Sequence, residues 1–304
     1  RNILRLKRFS GVEMTTWPKS DANYILITEI LLMTAFLTMN GADYKLQLQH
    51  FGHYITAGSF PVSSLIASLL PENARVLAGI ERGCWWFHIV GILAFLNYLP
   101  YSKHFHILLA FPNTYYSNLN PKGKFTNMAS VTNEVKAMLD PSFVPETTGE
   151  VARFGVKDAT DLTWKNLMEA YTCTECGRCT SVCPANITGK LLSPRKIMMD
   201  TRDRITEIGN NIDKQGKDHV DGKALLDDYI TREELWACTS CNACVEACPV
   251  NINPLEIITE MRRYVVMEES QAPASLNNMF GNVENNGAPW KYSNADRFNW
   301  AEKS

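Results

Sequence analysis

Hydrophobicity divides the chain into two regimes. Residues 22–39 and 84–111 are strongly apolar, whereas residues 120–304 are polar and charged. The first apolar stretch, ANYILITEILLMTAFLTM, has 18 positions and a single charge, Glu29. That is just long enough to cross a hydrocarbon core of about 30 Å as a helix. The second stretch is longer and carries Lys103, His104 and His106 near its end. Both are expected to be transmembrane helices. The polar half is punctuated by helix starts. Ser193 with Pro194, Thr231 with Glu234, and Asn253 with Pro254 and Glu256 place caps and first-turn residues ahead of apolar-periodic segments. DLTWKNLMEAYTC, residues 161–173, reads as a further helix, and no alternating strand pattern stands out in residues 150–270. The expected fold class is all-α, with transmembrane helices followed by a helical water-facing domain.

Charge orients this plan. Arg1, Arg5, Lys7, Arg8 and Lys19 precede the first stretch, and Lys103, Lys122 and Lys124 lie near or beyond the end of the second. Basic flanks at both outer ends predict an in–out–in hairpin, with residues 40–83 outside and the polar half in the cytoplasm. The chain opens on Arg1 rather than Met, so residues upstream are expected. A formal net charge of −2 gives no electrostatic footprint for nucleic acid.

Eight of the nine cysteines fall in two tight runs. CTECGRCTSVCP holds Cys173, Cys176, Cys179 and Cys183; CTSCNACVEACP holds Cys238, Cys241, Cys244 and Cys248. Both read C-x2-C-x2-C-x3-C-P, the spacing of bacterial two-[4Fe–4S] ferredoxins, in which the fourth cysteine ligates the other cluster. The expected ligand sets are Cys173, Cys176, Cys179 and Cys248 for a first cluster, and Cys238, Cys241, Cys244 and Cys183 for a second. Structural zinc uses four ligands, usually as two separated pairs, and does not fit two complete four-cysteine runs. Thiolate ligands in this number belong in a reducing compartment. The runs start 65 residues apart with helical sequence between them, which predicts an α-helical ferredoxin domain rather than a compact β-hairpin one. TGKLL, residues 188–192, is not a phosphate loop, because Pro184 stands where the motif needs glycine.

His88 and His106 bracket the second apolar stretch, 18 residues apart. On one unbroken helix that is five turns, which puts both imidazoles on one face roughly 27 Å apart. Pro100 is a potential kink in that register. The spacing fits a pair of haem ligands and a pair of structural histidines about equally. Around Pro100, Tyr101, Ser102, Lys103 and His106, with His88 behind them, the chain resembles the last transmembrane helix of the nitrate reductase gamma subunit family and the related cytochrome b subunit of heterodisulfide reductase. WPKSDANYILITEILLMTAFLTMN resembles the preceding helix. CTECGRCTSVCPANITGKLLSPR resembles the iron–sulfur subunit of heterodisulfide reductase. These resemblances imply His88 and His106 as haem b axial ligands (two haems), quinone as substrate, and a quinol-linked oxidoreductase complex in a bacterial or archaeal cytoplasmic membrane. Two departures matter. The family cytochromes have about five transmembrane helices, so partner ligands are expected from a missing N-terminal piece or another subunit; His50 and His53 are candidates for the outer haem, with loop histidines near a quinol site as the preferred reading. No cysteine follows Cys248, so the CCG domains of the heterodisulfide reductase subunit are expected on a separate catalytic partner docked near the tail, which resembles the bridge to those domains.

The expected organisation is a membrane cytochrome b-like part (1–120), a linker (121–160), the two-cluster domain (161–269) and a partner-docking tail (270–304). Two rival readings stay open: a membrane-tethered ferredoxin without haem, and the iron–sulfur subunit of a flavin dehydrogenase. Among the remaining residues, Cys84 beside Trp85 and Trp86 is expected to be a bystander in an interfacial belt. Glu29 is expected to face a helix partner or cavity, with a proton path as the functional alternative. Arg178 is expected to tune cluster charge or hold its loop.

Overall fold

A computed structural model describes residues 16–121, 123–144 and 153–301. The basic flank Arg1–Arg8, Lys122 and linker residues 145–152 lie outside the described residues. The described residues are helical and form no strand. The chain divides into two compact units, with the boundary after Pro112.

The first unit is a helical hairpin. α1 (Thr16–Leu48) is followed by the short α2 (Ser63–Ala67), α3 (Ala74–Tyr98) and the start of α4 (His106–Tyr115). α1 and α3 run antiparallel: the Tyr98 hydroxyl donates to Asp21, His88 Nδ1 meets the Leu32 carbonyl at 2.9 Å, and Lys45 Nζ donates to the Leu70 carbonyl at 2.7 Å. Gly91 permits their close approach, since a Cβ there would fall 2.4 Å from Leu32 Cδ2. Two helical stretches are long and apolar enough to cross a membrane, Asp21–Leu48 and Ala74–Tyr101. The second begins ten residues before the expected start at residue 84, because Asn73 caps it through Arg75 N–H at 3.0 Å and Val76 N–H at 3.4 Å.

It also ends early, and this corrects the five-turn register. α3 stops at Tyr98, a 3-10 turn carries Pro100, and Ser102 is extended (φ −105°, ψ 161°). Proline supplies no backbone donor. The Ser102 hydroxyl accepts the His104 N–H at 3.2 Å, and buried Asp21 accepts the Lys103 N–H at 2.8 Å. His88 and His106 therefore sit on two helices separated by a capped break, not on one face of a continuous helix.

The second unit contains α5 (Ala129–Leu139), α6 (Trp164–Thr172), α7 (Arg178–Ser181), α8 (Pro184–Ile187), α9 (Pro194–Gln215), the distorted turn α10 (Leu225–Asp228), α11 (Arg232–Ala237), α12 (Ala243–Glu246), α13 (Pro254–Arg263) and α14 (Ala274–Asn286). α9 is the spine, against which α6 and α13 pack. Its core joins Ile197, Met198, Leu225, Ile230, Leu235, Ile257 and Met261, all at most 1% exposed. Each such side chain contributes about 1.5–3 kcal/mol of transfer free energy. The expected caps form: Ser193 accepts the Lys196 N–H, Asn253 accepts the Glu256 N–H, and Thr231 and Glu234 make a reciprocal capping box. At Gly155 (φ +70°) an added Cβ would strike the backbone at the end of α13, 2.3 Å from Glu260 O and 2.4 Å from Tyr264 N.

Candidate cluster-binding site

The two cysteine runs repeat one backbone design. Each follows a helix whose last carbonyls release the chain into extended geometry, at Cys173 after α6 and at Cys238 after α11. Left-handed residues then turn the loop: Glu175 (φ 54°) and Gly177 (φ 73°) in the first run, Ser240 (φ 56°) and Asn242 (φ 60°) in the second. Each loop aims an amide at a sulfur. Glu175 N–H donates to Cys173 Sγ and Ser240 N–H to Cys238 Sγ, both at 3.4 Å, and Ile252 N–H does the same for Cys248 Sγ at 3.4 Å. Amides of this kind stabilise thiolate charge.

The fold brings the runs together. One cavity is lined by Cys173, Cys176 and Cys179 of the first run together with Cys248 and Cys244 of the second. Its walls are otherwise mostly apolar, with Met198, Pro249, Val250, Ile252 and Pro254, and two cations, Arg178 and Arg195. Burial pushes the Cys173, Cys179 and Cys244 thiols up to about 12, with neighbouring sulfurs adding to the effect. For Cys179 those neighbours are Cys176, Cys244 and Cys248; for Cys244 they are Cys238, Cys183 and Cys241. So Cys183 lies near enough to Cys238 and Cys244 to act on both, and Cys244 and Cys248 both line the cavity of the first run. Iron would hold such buried sulfurs as thiolates. Among the described residues, no three Cys, His or carboxylate side chains converge as one metal ion requires. Five cysteine sulfurs from both runs around one mostly apolar cavity are the donor set that a multi-iron cluster would use.

Several supporting residues were not recognised from the sequence. Glu175, fully buried inside the first run, pairs with the buried Arg202 at 2.7 Å. Arg262 donates to the carbonyls of Leu235 and Cys238 (2.7 and 2.6 Å from Nη2) and stacks its guanidinium over Trp236, 4.9 Å from the ring centre. Asn113 donates to the Val250 carbonyl at 2.7 Å and accepts Lys165 at 2.7 Å, and Lys165 also pairs with Glu169 at 2.6 Å. Burial raises the Glu169 carboxyl above its ordinary range. Arg178 opens α7 and lines the cavity.

The histidines of the first unit occupy distinct settings. His88 packs on Phe36, ring centres 5.3 Å apart, with Nδ1 on the Leu32 carbonyl. His106 places Nδ1 on the Lys103 carbonyl. A carbonyl can only accept, so in His88 the Nδ1 atom carries the proton, the arrangement common around metal-bound histidine. Glu29 lies 3.7 Å from His104 Nε2, so it does have a helix partner. His53 stacks on Tyr54 in the connection after α1.

Residues 172–252 match the family model described as a 4Fe-4S dicluster domain, and residues 130–188 match a second model with the same description. The chain therefore carries a region of the 4Fe-4S dicluster type. It is similar to a probable iron-sulfur-binding oxidoreductase, FadF, of Bacillus subtilis (30% identical over 81% of this chain and 37% of the relative). It is also similar to the EtfAB:quinone oxidoreductase of Syntrophomonas wolfei (29% identical, 93% of this chain, 40% of the relative) and to a probable membrane-anchored ferredoxin of Chromohalobacter salexigens (30% identical, 49% and 24%). Shorter matches reach heterodisulfide reductase subunits C and D of Methanosarcina species. The chain thus spans less than half the length of these first three relatives. No solved structure matches.

Proposed function

We propose that the chain is a membrane-anchored redox subunit that passes electrons between quinol, haem b and two [4Fe–4S] clusters, and on to a partner subunit with a CCG-type catalytic centre. The observation that carries the reading is the pairing of the two cysteine runs around one cavity, with the fourth cysteine of each on the side of the other. On this reading Cys173, Cys176, Cys179 and Cys248 hold the first cluster, and Cys238, Cys241, Cys244 and Cys183 the second. The clusters supply one-electron transfer. The chain's own part is to bind them, exclude water with Met198 and Ile252, and donate backbone N–H bonds to their sulfurs. The hairpin of α1 and α3 is the anchor, residues 1–120 are the cytochrome-like part, and the tail from residue 270 docks the partner. The cluster domain faces the cytoplasm.

His88 and His106 are the proposed haem ligands, supported by their engaged Nδ1 atoms and by the quinone named for one relative. A dithionite-reduced minus oxidised optical spectrum of membranes holding the chain tests this. A sharp b-type α-band, lowered in His88→Ala and in His106→Ala, is expected. Broad iron–sulfur bleaching alone would leave a tethered ferredoxin, the second reading, which the membrane-anchored ferredoxin relative favours.

A further inference from the structure

α5 (Ala129–Leu139) is an 11-residue helix in which no residue is buried. A helix of that length is marginal in water and takes its stability from packing an apolar face. Such a face is present. Val131, Val135, Met138 and Leu139 recur at i, i+4, i+7 and i+8 and share one side, with Ser130 and Asn133 opposite. Met138 is 82% exposed and Leu139 80%. Glu134 borders the stripe on one side and Lys136 on the other. The position of α5 in the chain identifies what covers it. The second candidate span ends at Tyr101, the apolar α4 follows, and only residues 116–128 separate α4 from α5. That connection keeps α5 within about 50 Å of α4 even at full stretch. Tyr115, 80% exposed at the end of α4, is a residue type enriched where membranes meet water. The stripe itself is aliphatic. α5 holds no Trp, Tyr or Arg, the residues that anchor protein–protein interfaces. An apolar stripe edged by charges on a helix close to a membrane anchor fits a lipid surface.

We propose that α5 lies in the headgroup layer of the bilayer, on the side from which the cluster domain projects, with Val131, Val135, Met138 and Leu139 against the upper acyl carbons. The proposal rests on the membrane-anchor reading given above. The helix lies in the membrane plane, because 11 residues make a rod of about 17 Å, too short to cross. Lys136 lays its methylene stem along the apolar surface and carries its ammonium to the lipid phosphates. α5 is also fastened to the cluster domain: the carbonyl of Thr126, just ahead of it, accepts a hydrogen bond from Arg263 at the end of α13. Seating α5 on lipid therefore orients the cluster domain, which a single flexible connection to the anchor would leave free to swivel.

The test is photo-crosslinking of the full chain in vesicles of phosphatidylethanolamine and phosphatidylglycerol. The photoreactive residue p-benzoylphenylalanine replaces, one at a time, Met138 and Leu139 on the stripe, Ser130 and Asn133 on the opposite side, and Ile92 in α3, which reports on the anchor itself. Adducts are identified by mass spectrometry after irradiation. The expected result is lipid adducts at positions 92, 138 and 139, several-fold more than at 130 and 133. Lipid adducts at position 92, with 138 and 139 labelled no more than 130 and 133, would overturn the proposal and leave the anchor reading standing. Protein adducts in place of lipid adducts at 138 and 139 would make the stripe a subunit interface and overturn it too. Absence of lipid adducts at position 92 would remove the anchor reading, and the proposal with it.

Discussion

Replacing Cys173 and Cys248 together by alanine should leave one intact four-iron EPR signal and about half the iron, whereas replacing Cys173 and Cys183 together should leave no intact four-iron signal. Each cube needs four thiolates. In the crossed arrangement the first pair of substitutions falls on one cluster, and the second pair takes one ligand from each. If every run held its own cluster, the outcomes would exchange, because Cys173 and Cys183 share a run. The structure favours crossing on two grounds: Cys248 lines the cavity of Cys173, Cys176 and Cys179, and Cys183 is among the sulfurs acting on Cys238 and Cys244. Iron and acid-labile sulfide per chain, with EPR of the reduced protein, read the result. Retention of one whole cluster in the Cys173/Cys183 variant would reject the crossed assignment. Metal binding is coupled to folding of the domain, so the variant losing both clusters should also be the more protease-sensitive.

What could be read from the sequence was local. The caps at Ser193, Thr231 and Asn253 depend on residues within one helical turn, and all three form. The cysteine spacing encodes its loop geometry within twelve residues, and helices do separate the runs. The break between His88 and His106 was visible only as Pro100. Its completion depends on Asp21, which reaches Tyr98 and Lys103 across the hairpin and is far from both in sequence. Hydropathy placed the second span ten residues late because Glu81 and Arg82 dilute the first turns of α3, while Asn73 starts the helix before them. The charges around the cysteines were missed for the same reason. Glu175 and Arg202 lie 27 residues apart and Arg262 reaches back 24 to the Cys238 carbonyl. Arg195 looked like one more first-turn residue until the cavity gave it a neighbour.

Arg204→Ala should destabilise the cluster domain by about 3 kcal/mol near neutral pH, the lower end of the cost of breaking a buried ion pair. Arg204 is 3% exposed on α9 and forks between Asp158 and Asp221, with Glu207 a third acid 3.4 Å away. It donates to Asp158 at 2.9 and 2.8 Å, to Asp221 at 2.6 and 3.0 Å, and to the Lys223 carbonyl at 2.7 Å. It thereby pins both the segment before α6 and the connection after α9. Removal leaves two carboxylates facing each other; their side chains keep 18% and 16% exposure, which limits the loss. The hydrogen bonds from Arg204 hold the Asp221 carboxyl well below its ordinary range. A carboxyl depressed in the folded state adds stability that is fully present above its unfolded pKa, near 3.9, and is lost as pH falls toward the folded value. The gap between wild type and Arg204→Ala should therefore be widest at neutral pH and shrink below about pH 4. Lysine restores one charge but not the fork, so Arg204→Lys should recover only part of the loss. Urea midpoints for bleaching of the iron–sulfur chromophore, taken at neutral and acid pH, measure both effects. A gap that does not change with pH would show that packing, not this charge network, holds the two segments to α9.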